Sequence, residues 1–510
     1  MSRPTMPILA GLLASFVASS PALVSAGGKS CENRVNNTFK KLLECVTVDG
    51  VRAHQAALQD IADANGGIRT SGTNGYDESA FYVAGRLEDA GYDVTLQPFD
   101  FEAFIQLGPS TLEQVAPGSV TYVEDTDYNL MSQTDPGDVT GAVTAVDLDL
   151  GLGNSSTSGC EAGDFAGFPA GHIALIQRGA CSFQLKGENA AAAGAVGAII
   201  FNQGNDAGRF GLINGTLSAN YAGGIPVFFA TYDRGVEWAG TSGLELHMIA
   251  DVFRGTATTF NVLAETPDGD PNNVVMVGAH LDSVNQGPGI QDNGSGSAAI
   301  LEVALQMQKV KPRNKVRFAW WGAEESGLIG SDFYVFGLSD EERENIALYL
   351  NFDMIGSPNY VRFIYDGDGS AFGLQGPPGS EVIEAFFEDF YADRGLASEP
   401  TEISFRSDYA AFFDSGIPFG GLFTGAEGIK TPDQVAVYGG TAGDQYDPCY
   451  HLACDTFDNI SLEVLDLNAD AVAASTLQYA MNTQAVNGVK GKGNFKPRND
   501  QENLGSMKRM

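Results

Sequence analysis

The sequence predicts an α/β protein in which a mixed, mainly parallel β-sheet is sandwiched by helices and interrupted by a smaller, β-rich insert. Three observations carry this prediction. Apolar runs at Val274-Val275-Met276-Val277-Gly278, Val316-Arg317-Phe318-Ala319-Trp320-Trp321 and Ile346-Ala347-Leu348-Tyr349-Leu350 are separated by helix-period segments, as expected for strands buried on both faces. The mature chain opens with two helical spacings ahead of its first strand. From 120 to 253 the texture changes to Gly- and Ala-rich segments with short apolar runs. The 510 residues, 43% hydrophobic and 18% charged, supply enough apolar chain for such a core and exclude global disorder.

Taken in order, Arg3, an apolar stretch over 7–18 and the small-residue ending Val24-Ser25-Ala26 predict a secretory leader over 1–26. Residues 51–64 and 79–90 have helical apolar spacing, and Tyr92-Asp93-Val94-Thr95-Leu96 follows as a strand. In the insert, Ile173-Ala174-Leu175-Ile176, Gly197-Ala198-Ile199-Ile200-Phe201 and Ile225-Pro226-Val227-Phe228-Phe229 predict short strands around a helix at 184–193. Beyond Thr258 the strand and helix alternation resumes. The helix over 298–310 carries Ile300, Val303, Ala304 and Met307 on one face, Trp320 and Trp321 pack on the sheet, and a last helix spans 462–479. The expected division is therefore a leader (1–26), a discontinuous main domain (27–119 and 254–487), the insert (120–253) and a basic, frayed tail (488–510).

Charge narrows the partners. With 29 Lys and Arg against 64 Asp and Glu, the net −35 repels phosphate backbones and anionic headgroups, so neither nucleic acid nor a membrane surface is expected. No second apolar stretch is long enough to span a bilayer. An exported chain favours disulfides, and nearest neighbours in sequence pair Cys31 with Cys45, Cys160 with Cys181 and Cys449 with Cys454. Asn36, Asn154, Asn214, Asn293 and Asn459 stand in Asn-x-Ser/Thr sites, which carry glycans only in a host that attaches them.

The chemistry gathers where those apolar runs end: His280 after the first, Glu324-Glu325 after the second, Asp353 after the third. Functional groups of open α/β sheets collect at the carboxyl ends of the strands. Asp292 follows in the Gly-rich loop Gly287-Pro288-Gly289-Ile290-Gln291-Asp292, and His451 lies between Cys449 and Cys454. Two histidines with carboxylates and no thiolate suit zinc or a similar divalent ion, and a close pair of ions if one carboxylate is shared. Asp282, two residues past His280, is expected to accept the imidazole N–H rather than bind metal. Adjacent Glu324 and Glu325 cannot point the same way, so one binds metal and the other is free to act as a general base. His-Glu-x-x-His and Gly-x-Ser-x-Gly are both absent, and Gly294-Ser295-Gly296-Ser297 follows a loop rather than a strand, against a dinucleotide turn. His54, His172 and His247 have no such company and are expected to be structural.

Gly278-Ala279-His280-Leu281-Asp282-Ser283, Asp292-Asn293-Gly294-Ser295-Gly296, Trp321-Gly322-Ala323-Glu324-Glu325-Ser326-Gly327, Asn351-Phe352-Asp353-Met354 and Cys449-Tyr450-His451 together resemble the secreted di-zinc aminopeptidases. The likeness is to the leucyl aminopeptidase and aminopeptidase Y branch with an inserted protease-associated domain, and it covers 51–479. It implies a zinc-peptidase fold, with 120–253 as the protease-associated domain, and two zinc ions per chain. Asp292 would bridge the two, with His280 and Asp353 on one and Glu325 and His451 on the other. Glu324 would be the general base, Tyr450 would polarise the scissile carbonyl, and Arg406 in Phe405-Arg406-Ser407-Asp408 would help hold the substrate. Relatives often carry Asp where this chain has Asn293, and the peptide after the bridging Asp can be cis. The implied activity is removal of the amino-terminal residue from peptides with a free α-amine, by a secreted monomer. Gly420-Gly421-Leu422-Phe423 and nearby aromatics point to a pocket for Leu- or Phe-like side chains. Alternatives are a related zinc carboxypeptidase, a glutaminyl cyclase with one zinc, and a non-catalytic receptor on the same scaffold.

Overall fold

The computed structural model describes Cys31 and residues 33–488. The expected leader lies outside these residues, as does the expected tail beyond Gly488. In chain order the strands are β1 (Asp93–Gln106), β2 (Thr111–Ala116), β3 (Val120–Thr121), β4 (Tyr128–Leu130), β5 (Gly137–Val146), β6 (Ile173–Gln177), β7 (Gly197–Phe201), β8 (Val227–Ala230) and β9 (Glu245–Ala250). They continue with β10 (Val252–Glu265), β11 (Asp270–His280), β12 (Asn314–Trp321), β13 (Ile346–Phe352), β14 (Phe363–Tyr365), β15 (Glu399–Thr401) and β16 (Phe419–Phe423).

Eight strands form the main sheet in the order β1-β10-β12-β11-β13-β16-β14-β15, whose central four, β12 to β16, are parallel. Their central residues are mostly apolar because both faces are covered. On one face Val275, Val277, Val316, Phe318, Trp320, Leu348 and Leu350 pack with the helices Val48–Ala64, Asn74–Asp89, Gly294–Met307, Ser380–Ala392 and Leu462–Met481. On the other, Val274, Met276, Ala319, Trp321 and Tyr349 pack with Ile329–Gly337 and Tyr409–Asp414. The two tryptophans thus point to opposite faces, as the period of two requires. This is the α/β sandwich that the sequence predicts.

The helix expected at 298–310 begins earlier, at Gly294, because Asn293 caps it by accepting the Gly296 N–H at 2.9 Å. Its glycines serve close packing: a Cβ on Gly296 would stand 2.0 Å from the Phe352 carbonyl oxygen.

The second sheet, β3-β2-β9-β5-β6-β7-β8-β4, is the insert. It takes in Thr111–Ala116, ahead of the change in composition at 120, because β2 is an ordinary alternating strand without the Gly/Ala bias. The helix Phe183–Ala192 crosses between parallel β6 and β7, with Ser182 as its cap. A long antiparallel ribbon of β1 and β10, in register from Asp93↔Glu265 to Gln106↔Val252, joins insert and main sheet. All six cysteines pair as nearest neighbours: Cys31–Cys45, Cys160–Cys181 and Cys449–Cys454. Among the described residues no helix is long and apolar enough to cross a membrane. Two of the five candidate glycan sites are closed by the fold, because Asn36 and Asn293 are buried and donate to the Gln306 and Phe352 carbonyls.

Glu384, on the helix Ser380–Ala392, is buried beside Asp366 and Asp368. Burial first, then those two carboxylates, push its pKa up to about 7 although it accepts the Asp368 N–H at 2.8 Å. A carboxyl whose pKa is raised on folding binds more protons in the folded state, so its contribution to stability falls as pH rises from its ordinary value to about 7. Glu384→Gln keeps the acceptor and cannot ionise. Its unfolding temperature should match the parent near pH 4 and exceed it by a few degrees above pH 7, as calorimetry with chelator present would show.

Candidate active site and metal centre

The parallel register brings three strand ends to one edge: His280 pairs with Trp321 across β11 and β12, and Gly278 with Asn351 across β11 and β13. His280 is the last residue of β11, Asp353 directly follows β13, and Glu324-Glu325 lie in the turn after β12. That turn is held by Asp282, whose two carboxylate oxygens accept the N–H groups of Glu324 at 3.2 Å and Glu325 at 3.3 Å. Asp282 is also the residue that meets the His280 imidazole: Nδ1 donates to its backbone carbonyl at 3.1 Å, with a carboxylate oxygen 3.6 Å away, so one residue holds both the ring and the turn.

Asp292 is returned to the same edge by Asp455, which accepts the N–H groups of Gln291 at 2.8 Å and Asp292 at 3.0 Å. The Asp292–Asn293 peptide is cis. His451 arrives on the turn closed by Cys449–Cys454, at φ 57°, with its ring stacked on Tyr450 at 3.8 Å between centroids.

The five expected ligands converge. Nε2 of His280 lies 3.1 Å from Asp292 Oδ1 and 3.3 Å from Asp353 Oδ1, and Nε2 of His451 lies 3.1 Å from both Asp292 Oδ2 and Glu325 Oε2. Ligand atoms of His280, Asp292 and Glu325, and those of His280, Glu324 and Asp353, fall within 4.8 Å of one another. Tetrahedral zinc with bonds of about 2.0–2.1 Å holds its ligand atoms about 3.3 Å apart. Glu325 Oε1 and Asp353 Oδ1 are buried without a hydrogen-bond donor, the state of an oxygen that needs a cation. The other oxygen of Asp353 accepts from the Ser407 hydroxyl at 2.7 Å. The residues therefore fit divalent cations.

Electrostatics agree. Burial works against charged imidazoles, yet Glu324 and Asp353 hold the pKa of His280 well above the ordinary value, and Glu325 with Asp292 raise that of His451 to about 11. So dense a set of carboxylates is a sink for positive charge. Burial, reinforced by Glu325, Asp408 and Asp353, pushes Glu324 up despite His280.

The centre floors a cavity of about 310 Å³. Met354, Tyr365, Phe423 and Tyr446 give it apolar walls, and Arg406 and Tyr450 stand at its side. Of the expected pocket segment only Phe423 lines it. Gly420 and Gly421 are pressed against Ile383 and the Asn351 carbonyl, and Leu422 is in the core. Sequence reasoning missed Glu427, which takes Arg406 at 2.7 and 3.3 Å while Arg406 donates to the Tyr450 hydroxyl at 3.0 Å. It also missed Ser407, adjacent to Arg406, and Asp455, adjacent to Cys454; proximity to a named motif was the available signal. His54 bonds Tyr82, His172 bonds Thr144 and His247 bonds Asp138, all away from the cavity lining, as expected.

Comparison with known proteins adds an independent line. The profile of peptidase family M28 matches residues 261–476, and that of the PA domain matches 139–238. An aminopeptidase of Pseudomonas aeruginosa (strain UCBPP-PA14) is 58% identical over 445 residues, 87% of this chain and 83% of the relative. Leucine aminopeptidase 2 of Trichophyton equinum is 48% identical over 329 residues, 64% of this chain and 66% of the relative. Among solved structures, BSAP, a zinc aminopeptidase from Bacillus subtilis, superposes with a TM-score of 0.62 at 26% identity, covering 85% of this chain and 95% of that one.

Proposed function

We propose, from the premise that this chain belongs to peptidase family M28 and is a zinc-dependent aminopeptidase, that it uses two zinc ions and favours large apolar amino-terminal residues. One observation carries the two-ion reading: the oxygens of Asp292 face different histidines, Oδ1 towards His280 and Oδ2 towards His451, each at 3.1 Å. That supports a shared carboxylate, with Asp353 completing the first set and Glu325 the second.

When bound, the cations supply Lewis acidity, making water nucleophilic at neutral pH and stabilising negative charge on the scissile carbonyl. Glu324 acts as the general base, taking the proton of the attacking water and passing it to the leaving amine. Its raised pKa suits it to both halves of that transfer. Burial keeps the Tyr450 phenol protonated, and because its oxygen already accepts from Arg406, its own proton is free for the developing oxyanion. Glu324 and Asp353 receive the free α-amine of the substrate, which an internal peptide bond lacks. Arg406 is engaged by Glu427 on both of its terminal nitrogens, which disfavours it as the anchor for a carboxyl terminus and so disfavours a carboxypeptidase. Met354, Tyr365 and Phe423 offer the first side chain an apolar seat, in keeping with the leucine aminopeptidase relative.

Three disulfides support secretion, and the charge of −35 supports peptide partners over nucleic acid or membrane for a protein acting as a monomer. A metal assay paired with hydrolysis of Leu-, Phe-, Lys- and Glu-anilides tests the reading. About two zinc ions per active chain are expected, with Leu and Phe substrates fastest, loss of activity in chelator and recovery on adding zinc. One metal per active chain would favour the cyclase, cleavage of amino-blocked peptides the carboxypeptidase, and no hydrolysis by metal-replete protein the receptor.

A further inference from the structure

Between His280 and Asp292 the chain leaves the sheet edge and must return to within hydrogen-bonding distance of its starting point. The intervening segment contains Gly287-Pro288-Gly289 and no regular structure, so the entropy of ordering it is substantial. Asp455 fixes the last three residues of this path, its carbonyl accepting the Ile290 N–H at 3.1 Å and its carboxylate those of Gln291 and Asp292.

Thr70 holds the Val284 carbonyl and Asn285 is held by Phe104 and Gln106, while the two ends of the path are joined by Arg69, which comes from the segment between the first two long helices and lies outside the stretch that matches the M28 profile. Arg69 is fully buried. Its guanidinium donates through Nε to the Pro288 carbonyl at 2.8 Å, through one terminal nitrogen to the Gly289 carbonyl at 2.6 Å, and through the other to the Leu281 carbonyl. Its backbone N–H donates to Ser283 Oγ at 2.9 Å, and the Ser283 N–H returns to the Arg69 carbonyl at 3.3 Å. Leu281 directly follows the ligand His280. Gly289 accepts the Gly294 N–H at 3.0 Å, across Asp292 and Asn293. One planar group therefore ties together both ends of the path.

The fit leaves no slack at Gly289, where φ is 62° and a Cβ would stand 2.5 Å from the Asp292 carbonyl oxygen and 3.2 Å from Arg69. The hydrogen bonds of the guanidinium all go to carbonyls, while the nearby carboxylates of Asp282, Asp455 and Asp292 offset part of the cost of burying the charge. Lysine offers one nitrogen where three donors in a fixed plane are engaged.

We propose that Arg69 is a positioning residue of the metal centre, holding His280 and Asp292 at their mutual distance before any cation binds. The inference rests on the reading of Asp292 as a metal ligand. Partners that orient metal ligands commonly govern affinity by about 10- to 100-fold.

The test measures stepwise zinc affinity by competition with a chromophoric chelator. Arg69→Lys should bind zinc about 10- to 100-fold more weakly while retaining parental far-UV circular dichroism. Tyr92→Phe, which removes only the Tyr92 hydroxyl bond to the Ala304 carbonyl, is the control for lost stability and should bind zinc as the parent does. Hydrogen exchange on the metal-free parent gives a second readout that needs no variant to fold: the Asp292 and Gly294 amides should already be protected. Parental affinity in Arg69→Lys, an equal loss in Tyr92→Phe, or amides protected only after zinc is added would each overturn the assignment. Peptide cleavage enters none of these measurements. Arg69-dependent zinc binding in a protein that cleaves nothing would therefore sink the peptidase reading and leave this one standing.

Discussion

Glu324→Gln should lower turnover of a Leu-anilide by about 10²- to 10⁴-fold, the range that a positioned general base contributes, while zinc content stays at the parental level. The amide is nearly isosteric, keeps the backbone N–H that Asp282 holds at 3.2 Å, and leaves the neighbouring Glu325 facing His451 at 3.1 Å. What it loses is the capacity to accept a proton and hand it on. The loss should fall mainly on kcat, because a group acting only in the transition state affects kcat and kcat/KM together. Parental turnover would remove Glu324 from the mechanism. A parallel loss of zinc would make it a ligand instead, since its carboxylate clusters with His280 and Asp353.

Asp292→Ala should be more damaging still. Each oxygen of Asp292 faces a different histidine, so on the two-ion reading one truncation removes an anionic ligand from both sets. It also removes the carboxylate that stands between two imidazoles. The variant should retain at most one zinc per chain after dialysis, and its anilide hydrolysis should fall below detection. Retention of two zinc ions with substantial activity would show that Asp292 is not shared. Because Asp455 grips the backbone rather than the side chain at this position, the loop should keep its course, and far-UV circular dichroism should be unchanged.

The convergence of the proposed ligands was legible in the sequence for a definite reason: His280, Glu324-Glu325 and Asp353 each sit at the end of a run whose apolar pattern announces a buried strand. Parallel pairing of such strands brings their ends together without further information. Asp292 and His451 were reachable through the glycine-rich loop and the short disulfide turn. The residues that steady them were not. Arg69 lies more than two hundred positions from the carbonyls it binds, Glu427 pairs directly with Arg406 on the cavity lining from 21 positions away, and neither stands in a periodic pattern. Asp282 was legible in part, since local spacing suggested the imidazole partner it has, whereas only the tertiary fold gives its carboxylate two further N–H groups in the next turn. The early start of the helix at Gly294 was hidden for a similar reason. Gly-Ser-Gly-Ser is a poor helix former by propensity, and only the approach of the Phe352 carbonyl makes its lack of bulk an advantage.

The ribbon of β1 and β10 has an architectural corollary. Gln106 and Val252, the last rungs before the chain departs and the first after it comes back, face each other in register across the ribbon. Everything between them is threaded through a single doorway. A tight hairpin turn could seal that doorway without shifting a strand of the main sheet, and a bulkier module could be spliced in with little loop-closure entropy. Such a scaffold lets the catalytic half and its appendage accumulate changes on separate evolutionary clocks.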